Sequence, residues 1–196
     1  RVAIDFSSPA ATIALLKAAA VHKTALVIGT TGMGPEGEAA VREAAQHVPV
    51  VYAANYSVGV NLLLELVEKA ARILNAKQFD AEIVEAHHKH KKDAPSGTAL
   101  MLANSLAKGR GVNLSDVANY GREGLTGERP EGQIGIHAVR GGDVVGDHTV
   151  SFLGEGERVM ISHLATSRRT FAEGAVRAAV WASSKQPGLY TMRDVL

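Results

Sequence analysis

Between two apolar stretches the chain reads Glu85-Ala86-His87-His88-Lys89-His90-Lys91-Lys92-Asp93-Ala94-Pro95-Ser96-Gly97-Thr98. Three imidazoles and three ammonium groups crowd into residues 87–92. Imidazoles take up and release protons near neutral pH, and ammonium groups neutralise anions or donate protons. Ser96-Gly97-Thr98 follows at once, offering hydroxyl caps and unpaired backbone N–H groups at a helix start, which suits an anion. The pattern fits a small anionic ligand held beside proton-donating groups.

Simpler explanations compete with that chemistry. A basic run on a solvated turn is the commonest source of such letters, and nucleic-acid binding is the next. The run is broken by His, ends in Asp-Ala-Pro and has no interleaved aromatics, which argues against nucleic acid. A metal site is disfavoured as well. On an extended segment His88 and His90 share a face while His87 points away, and the surrounding cations repel a metal ion. Ser-Gly-Thr also lacks the Gly-Lys-Ser/Thr signature of a P-loop.

The flanking elements must hold these groups. Phe79, Ala81 and Ile83 alternate as in a strand, Pro95 biases Ala94 away from helical angles, and residues 96–108 read as a helix. Upstream, Arg1 to Phe6 reads as a buried strand, and Ser8-Pro9 opens a helix through His22. Thr24 to Ile28 is a second buried strand, Pro35 opens a helix over 36–46, and Pro49 to Ala54 is a third strand. This rhythm is that of a doubly wound parallel sheet, in which ligands bind at the carboxyl ends of strands. Gly29-Thr30-Thr31-Gly32 and Ala53-Ala54-Asn55-Tyr56 occupy that position. Either loop alone reads as an ordinary turn; two at successive strand ends point to a nucleotide.

Residues 57–75 form a long helix with Val60, Leu63, Leu64, Val67, Ala71 and Leu74 in one stripe and Glu65, Glu68, Lys69 and Arg72 opposite. Gly109 to Gly124 is a polar connection, and residues 126–133 are a Gly/Pro/Glu-rich loop. Residues 134–164 then read as a β-meander, with His137, His148 and His163 as structural histidines within it. A last helix over 168–182 turns Phe171, Ala175, Ala178, Ala179 and Trp181 inward. Glu85 reads as a partner that orients His87 or as a solvated acid, and Asp93 as a turn residue.

With 196 residues and 46% hydrophobic content the chain can bury a real core. A net charge of +1 gives no global pull toward nucleic acid or membrane, and the absence of Cys rules out disulfides and Cys-based metal or redox sites. No apolar run approaches the ~20 residues of a membrane span. A strand beginning at the first residue, without Met, leads us to expect that an N-terminal part precedes this sequence.

The stretch Glu85 to Leu100 closely resembles the signature of the 4-hydroxy-tetrahydrodipicolinate reductase (dihydrodipicolinate reductase) family. Ile28-Gly29-Thr30-Thr31-Gly32, Ala53 to Asn61, Arg122-Glu123-Gly124, Thr126-Gly127-Glu128-Arg129 and Phe171 to Ala175 are similar to that family too, in its order. The resemblance implies an α/β fold: a truncated Rossmann-like parallel sheet plus an α+β domain with a mixed sheet for substrate and oligomer contacts. Residues 1–57 and 168–196 are then the remnant of the dinucleotide-binding domain, and 58–167 the substrate domain. It implies NAD(P)H-dependent reduction of a cyclic dicarboxylate in lysine and diaminopimelate biosynthesis, in the cytoplasm. Under this resemblance His87 is the general acid and Lys91 a second proton donor, while His88, Gly97 and Thr98 bind substrate. Gly29, Thr30, Thr31, Ala53, Ala54, Asn55, Tyr56, Arg168 and Phe171 lie at the cofactor, NADPH or NADH. It also implies a homotetramer built through the sheet of the substrate domain, with no metal, nucleic acid or membrane. One departure stands out: the resemblance puts the family's pyrophosphate-binding Gly-x-Gly-x-x-Gly upstream of the point where this sequence begins, so the chain as given is expected to bind the dinucleotide weakly or not at all. A non-catalytic fragment that binds the dicarboxylate or supports assembly is the alternative reading.

Overall fold

A computed structural model describes residues 1–196. In chain order the elements are β1 (Val2–Asp5), α1 (Pro9–His22), β2 (Ala25–Ile28), α2 (Gly34–Ala44), β3 (Pro49–Tyr52), α3 (Val58–Ile73), β4 (Phe79–His87) and α4 (Gly97–Arg110). Then come α5 (Leu114–Val117), β5 (Ala118–Tyr120), β6 (Ile134–Arg140), β7 (Gly146–Gly154), β8 (Arg158–Ala165), α6 (Arg169–Ala182), β9 (Gly188–Tyr190) and α7 (Met192–Val195). They form two compact units, Arg1–Asn61 with Arg169–Leu196, and Leu62–Arg168. No helix is long and apolar enough to cross a membrane.

The first unit is a parallel sheet in the order β1-β2-β3-β9. Every residue of β2 is buried, because helices cover both faces. Leu26, Ile28 and Val50 pack with Leu16, Ala19, Val41 and Ala44 from α1 and α2. Ala25, Val27 and Val51 pack on the other side with Tyr56 and with Ala175, Ala178 and Ala182 of α6. A Cβ on Gly174 would lie 1.8 Å from the Tyr56 carbonyl oxygen, so only glycine lets α6 come this close.

Two sequence expectations are corrected in this unit, and two short elements come in addition. β1 is an edge strand, with Ile4 and Phe6 about half exposed, and is not buried. The short β9 and α7 carried too little periodicity to be seen; Thr191 and Asp194 form a capping box that starts α7. Phe171 is only half buried, and Gly174 takes the inward position beside Ala175.

The second unit is a mixed sheet in the order β5-β6-β4-β7-β8. The expected meander is not formed. β4 inserts between β6, which it pairs in parallel, and β7, which it pairs antiparallel. β4 is alternately buried along its whole length, and a strand this deep needs a hydrogen-bonded partner on both edges. The connection read as featureless holds α5 and β5, which extends the sheet beside β6. Ala81, Ile83, Ile134, Ile136, Val150 and Phe152 form the buried face, and α4 contributes Ala99, Leu102, Ala103 and Leu106 to the core. Glu68 of α3, placed opposite the apolar stripe in the sequence, is buried and meets Arg72 and Lys108.

Candidate active site

β4 carries its odd residues inward, so Glu85 and His87 continue the buried row begun by Ala81 and Ile83. Glu85 is completely buried. Its Oε2 lies 2.6 Å from His87 Nδ1, and its Oε1 accepts the Ser96 backbone N–H at 2.9 Å. Arg140, at the end of β6, donates to both carboxylate oxygens at 2.8 Å and to the Asp93 carbonyl at 2.7 Å. Burial pushes the Glu85 carboxyl up, but the bonds from Arg140, His87 and Ser96 outweigh it and hold the acid below its usual range.

Ser96 caps α4, its Oγ accepting from the Ala99 N–H at 3.2 Å and lying 3.1 Å from His148 Nε2. His148, in the row of β7 opposite Glu85, stacks edge-on against His87 with ring centroids 5.1 Å apart. Burial, aided by the charge of His87, pushes His148 down to about 4, so it is neutral at pH 7. Gly97 and Thr98 form the first turn of α4, one residue beyond this network, with Gly97 open to solvent.

His88 leaves the opposite side of the chain. It faces a cavity of about 640 Å³ lined by His88, Lys89, His90, Gly142, Asp143 and Arg168. Its ring is 6.2 Å from that of His90, and its Nε2 is 3.4 Å from an Arg168 nitrogen. Partial burial and the neighbouring Arg168, His90 and Lys91 charges lower the His88 titration from the usual imidazole value. Lys91 Nζ pairs with Asp93 Oδ1 at 2.8 Å, so Asp93 does more than fix the turn. No three His, Asp or Glu side chains are grouped to hold a metal ion.

In the first unit, the β2 and β3 loops stand at the carboxyl ends of parallel strands. Thr31 and Ala54 are exposed, and Gly29 and Ala53 are half-buried. Thr30 is turned in, its hydroxyl 2.8 Å from that of Thr12, whose one hydrogen goes to buried Asp5 at 2.5 Å, so Thr30 donates to Thr12. Asn55 accepts the Ser57 N–H at 2.8 Å, and Tyr56 is buried with its hydroxyl 2.9 Å from the Ile28 and Val51 carbonyls. These three side chains shape the loops, which leaves small residues and backbone edges to meet a flat ring or a ribose. The Phe6 ring stands against Gly29 and 5.3 Å from Tyr56. The loops therefore fit a nucleotide. Arg168 is the last residue of the second unit and immediately precedes α6 of the first.

Sequence reasoning brought His87 together with the α4 start but missed Arg140, His148 and Ser96 as its neighbours. Only Glu85, two residues before His87 and hence on its face, was legible.

Residues 1–56 match the model of the dihydrodipicolinate reductase N-terminus and residues 59–196 that of its C-terminus. A 4-hydroxy-tetrahydrodipicolinate reductase of Acinetobacter baumannii is 55% identical over the whole chain, which spans 71% of that relative. One from Thiobacillus denitrificans is also 55% identical, with 73% of its length spanned. A dipicolinate-bound dihydrodipicolinate reductase from Paenisporosarcina sp. TG-14 matches with a TM-score of 0.78 and 27% identity, covering all of this chain and 73% of that one. With its fold, its strand-end loops and its whole length accounted for in this way, the chain belongs to the dihydrodipicolinate reductase family.

Proposed function

We propose that the protein reduces 4-hydroxy-tetrahydrodipicolinate to tetrahydrodipicolinate, a step of lysine and diaminopimelate biosynthesis in the cytoplasm. The ring gains a hydride and one proton, and its hydroxyl leaves as water. A nicotinamide dinucleotide supplies the hydride when bound, and Gly29, Thr31, Ala53, Ala54 and the Phe6 ring are the groups that would hold it. Thr30, Asn55 and Tyr56 keep those loops in shape, and Phe171 stands at the start of α6.

The observation that carries this reading is the buried imidazole of His87, locked by Glu85, whose other carboxylate oxygen holds the cap residue of α4. Gly97 and Thr98 there grip one carboxylate through N–H groups and a hydroxyl. His87 delivers the proton, and Lys91, held by Asp93, is the second donor. His88 and Arg168 present positive charge to one cavity, so we assign Arg168 to anion binding there. The sheet face opposite α4 carries Val84, Val139, Met160 and Leu164 exposed, which suits a homotetramer built on that face.

The test is loss of nicotinamide absorbance with this substrate and NADPH or NADH, set beside calorimetric binding of pyridine-2,6-dicarboxylate. Turnover with either cofactor supports the proposal, and their ratio gives the preference. Binding without turnover would favour the non-catalytic dicarboxylate-binding reading.

A further inference from the structure

We infer that Glu85 is a positioning residue that fixes the tautomer of His87 and ties it to the anion grip of α4. The inference rests on the reading that His87 is the proton donor. Glu85 accepts from four directions: two Arg140 nitrogens, the Ser96 N–H and His87 Nδ1. An ionised carboxylate can only accept, so the hydrogen in the 2.6 Å contact sits on His87 Nδ1. Nε2 is then the atom that gives up the proton: the imidazolium carries a hydrogen on each nitrogen, and transfer from Nε2 leaves the neutral Nδ1–H tautomer. Nε2 is also the atom left without a protein partner. Beside it stands Gly146 of β7, where an added Cβ would lie 3.0 Å from Nε2.

The groups packed against this pair are Arg140 from β6, His148 from β7 and the Ser96 amide from the α4 cap; beyond them the charges of His87 and Lys91 act on His148, and His88 lies on the opposite side of the chain. Arg140 alone bonds the carboxylate as a permanent cation, and it keeps Glu85 an acceptor. The same carboxylate holds the Ser96 amide, the residue before Gly97. The proton donor and the carboxylate-binding turn therefore share one anchor and keep a fixed spacing, which is what a near-attack arrangement requires. Nothing about Glu85 itself reaches the ligand, since it is completely buried.

Long-range proton–nitrogen NMR of the intact protein reads the His87 tautomer directly, whether or not the protein turns over. With the ring neutral, we expect the Nδ1–H form in the parent and a mixture in Glu85→Gln, whose amide can donate as well as accept. In turnover, kcat of Glu85→Gln is expected to fall at least ~10-fold, with KM for the dicarboxylate changed less than about threefold. An Nε2–H tautomer in the parent overturns the inference, as does a folded Glu85→Gln that keeps both the parent tautomer and the parent kcat. If that variant does not fold, the parent spectrum decides alone. A parent that shows the Nδ1–H form but no reductase turnover counts against the proposed reaction and leaves the role of Glu85 supported.

Discussion

Glu85 and Arg140 meet fork to fork across the parallel β4–β6 pair, with both guanidinium nitrogens 2.8 Å from the two carboxylate oxygens. The acid is fully buried, while the arginine side chain keeps 21% of its surface exposed. Two parallel bonds of this kind fix direction as well as charge. The pair therefore sets where the carboxylate points, and through it the orientation of His87.

Removing one member of a buried pair strands the other. Arg140→Ala is expected to cost about 2–4 kcal/mol of stability in urea denaturation, with the lower end favoured because water reaches the arginine. Arg140→Lys keeps the charge and loses the fork, so its cost should be visibly smaller.

Acid should weaken the fold in two windows. His148 is pushed down to about 4 by burial, so the unfolded chain takes up a proton near 6.5 that the folded chain refuses. Stability is then lost as pH falls from about 6.5 toward 4. Glu82 is held at about 2: burial raises it, but bonds from Arg122, His137 and Arg129 prevail. Its contribution is present above the unfolded carboxyl value near 4.5 and is lost as pH falls toward 2. Denaturation midpoints against pH should show both slopes, with His148→Gln flattening the upper one and Glu82→Gln the lower.

A methyl group on Gly146 would crowd the free nitrogen of His87. Gly146→Ala is expected to lower kcat about tenfold or more, while costing only ~1 kcal/mol in thermal or urea denaturation. An unchanged kcat would place the reacting proton elsewhere.

Gly174→Ala should behave in the reverse way. Its Cβ would meet the Tyr56 backbone, which cannot swing aside, so α6 has to lift from the sheet. A loss of about 2–3 kcal/mol is expected in denaturation.

Much of this was legible because local chemistry decides it. β2 is covered on both faces and reads as an unbroken apolar run; Pro9 and Pro35 mark helix starts; Ser96 caps α4 where the letters suggested. The fate of Glu85 was not legible. Its spacing from His87 gives the face but not the partner, because Arg140 is 55 residues away and reaches it only through strand pairing. The mistaken meander has the same origin. Hydropathy shows where β6 and β7 lie, yet nothing in their letters says that β4 will lie between them. β5, β9 and α5 were missed because three or four residues carry no readable period.

The placement of β4 between two later strands also dictates a sequence of events. When β4 first leaves the ribosome, Glu85 has His87 at hand and Ser96 soon after, but its counter-charge is still to be made. Only after β6 has been synthesised and zipped alongside does the guanidinium arrive, and only after β7 does His148 close the other flank. Chain closures of this length are slow relative to local helix formation. The surroundings of Glu85 and His87 thus cannot be completed before β6 and β7 are in place, and a nascent or partly unzipped chain carries an unneutralised acid where the finished one carries its anchor.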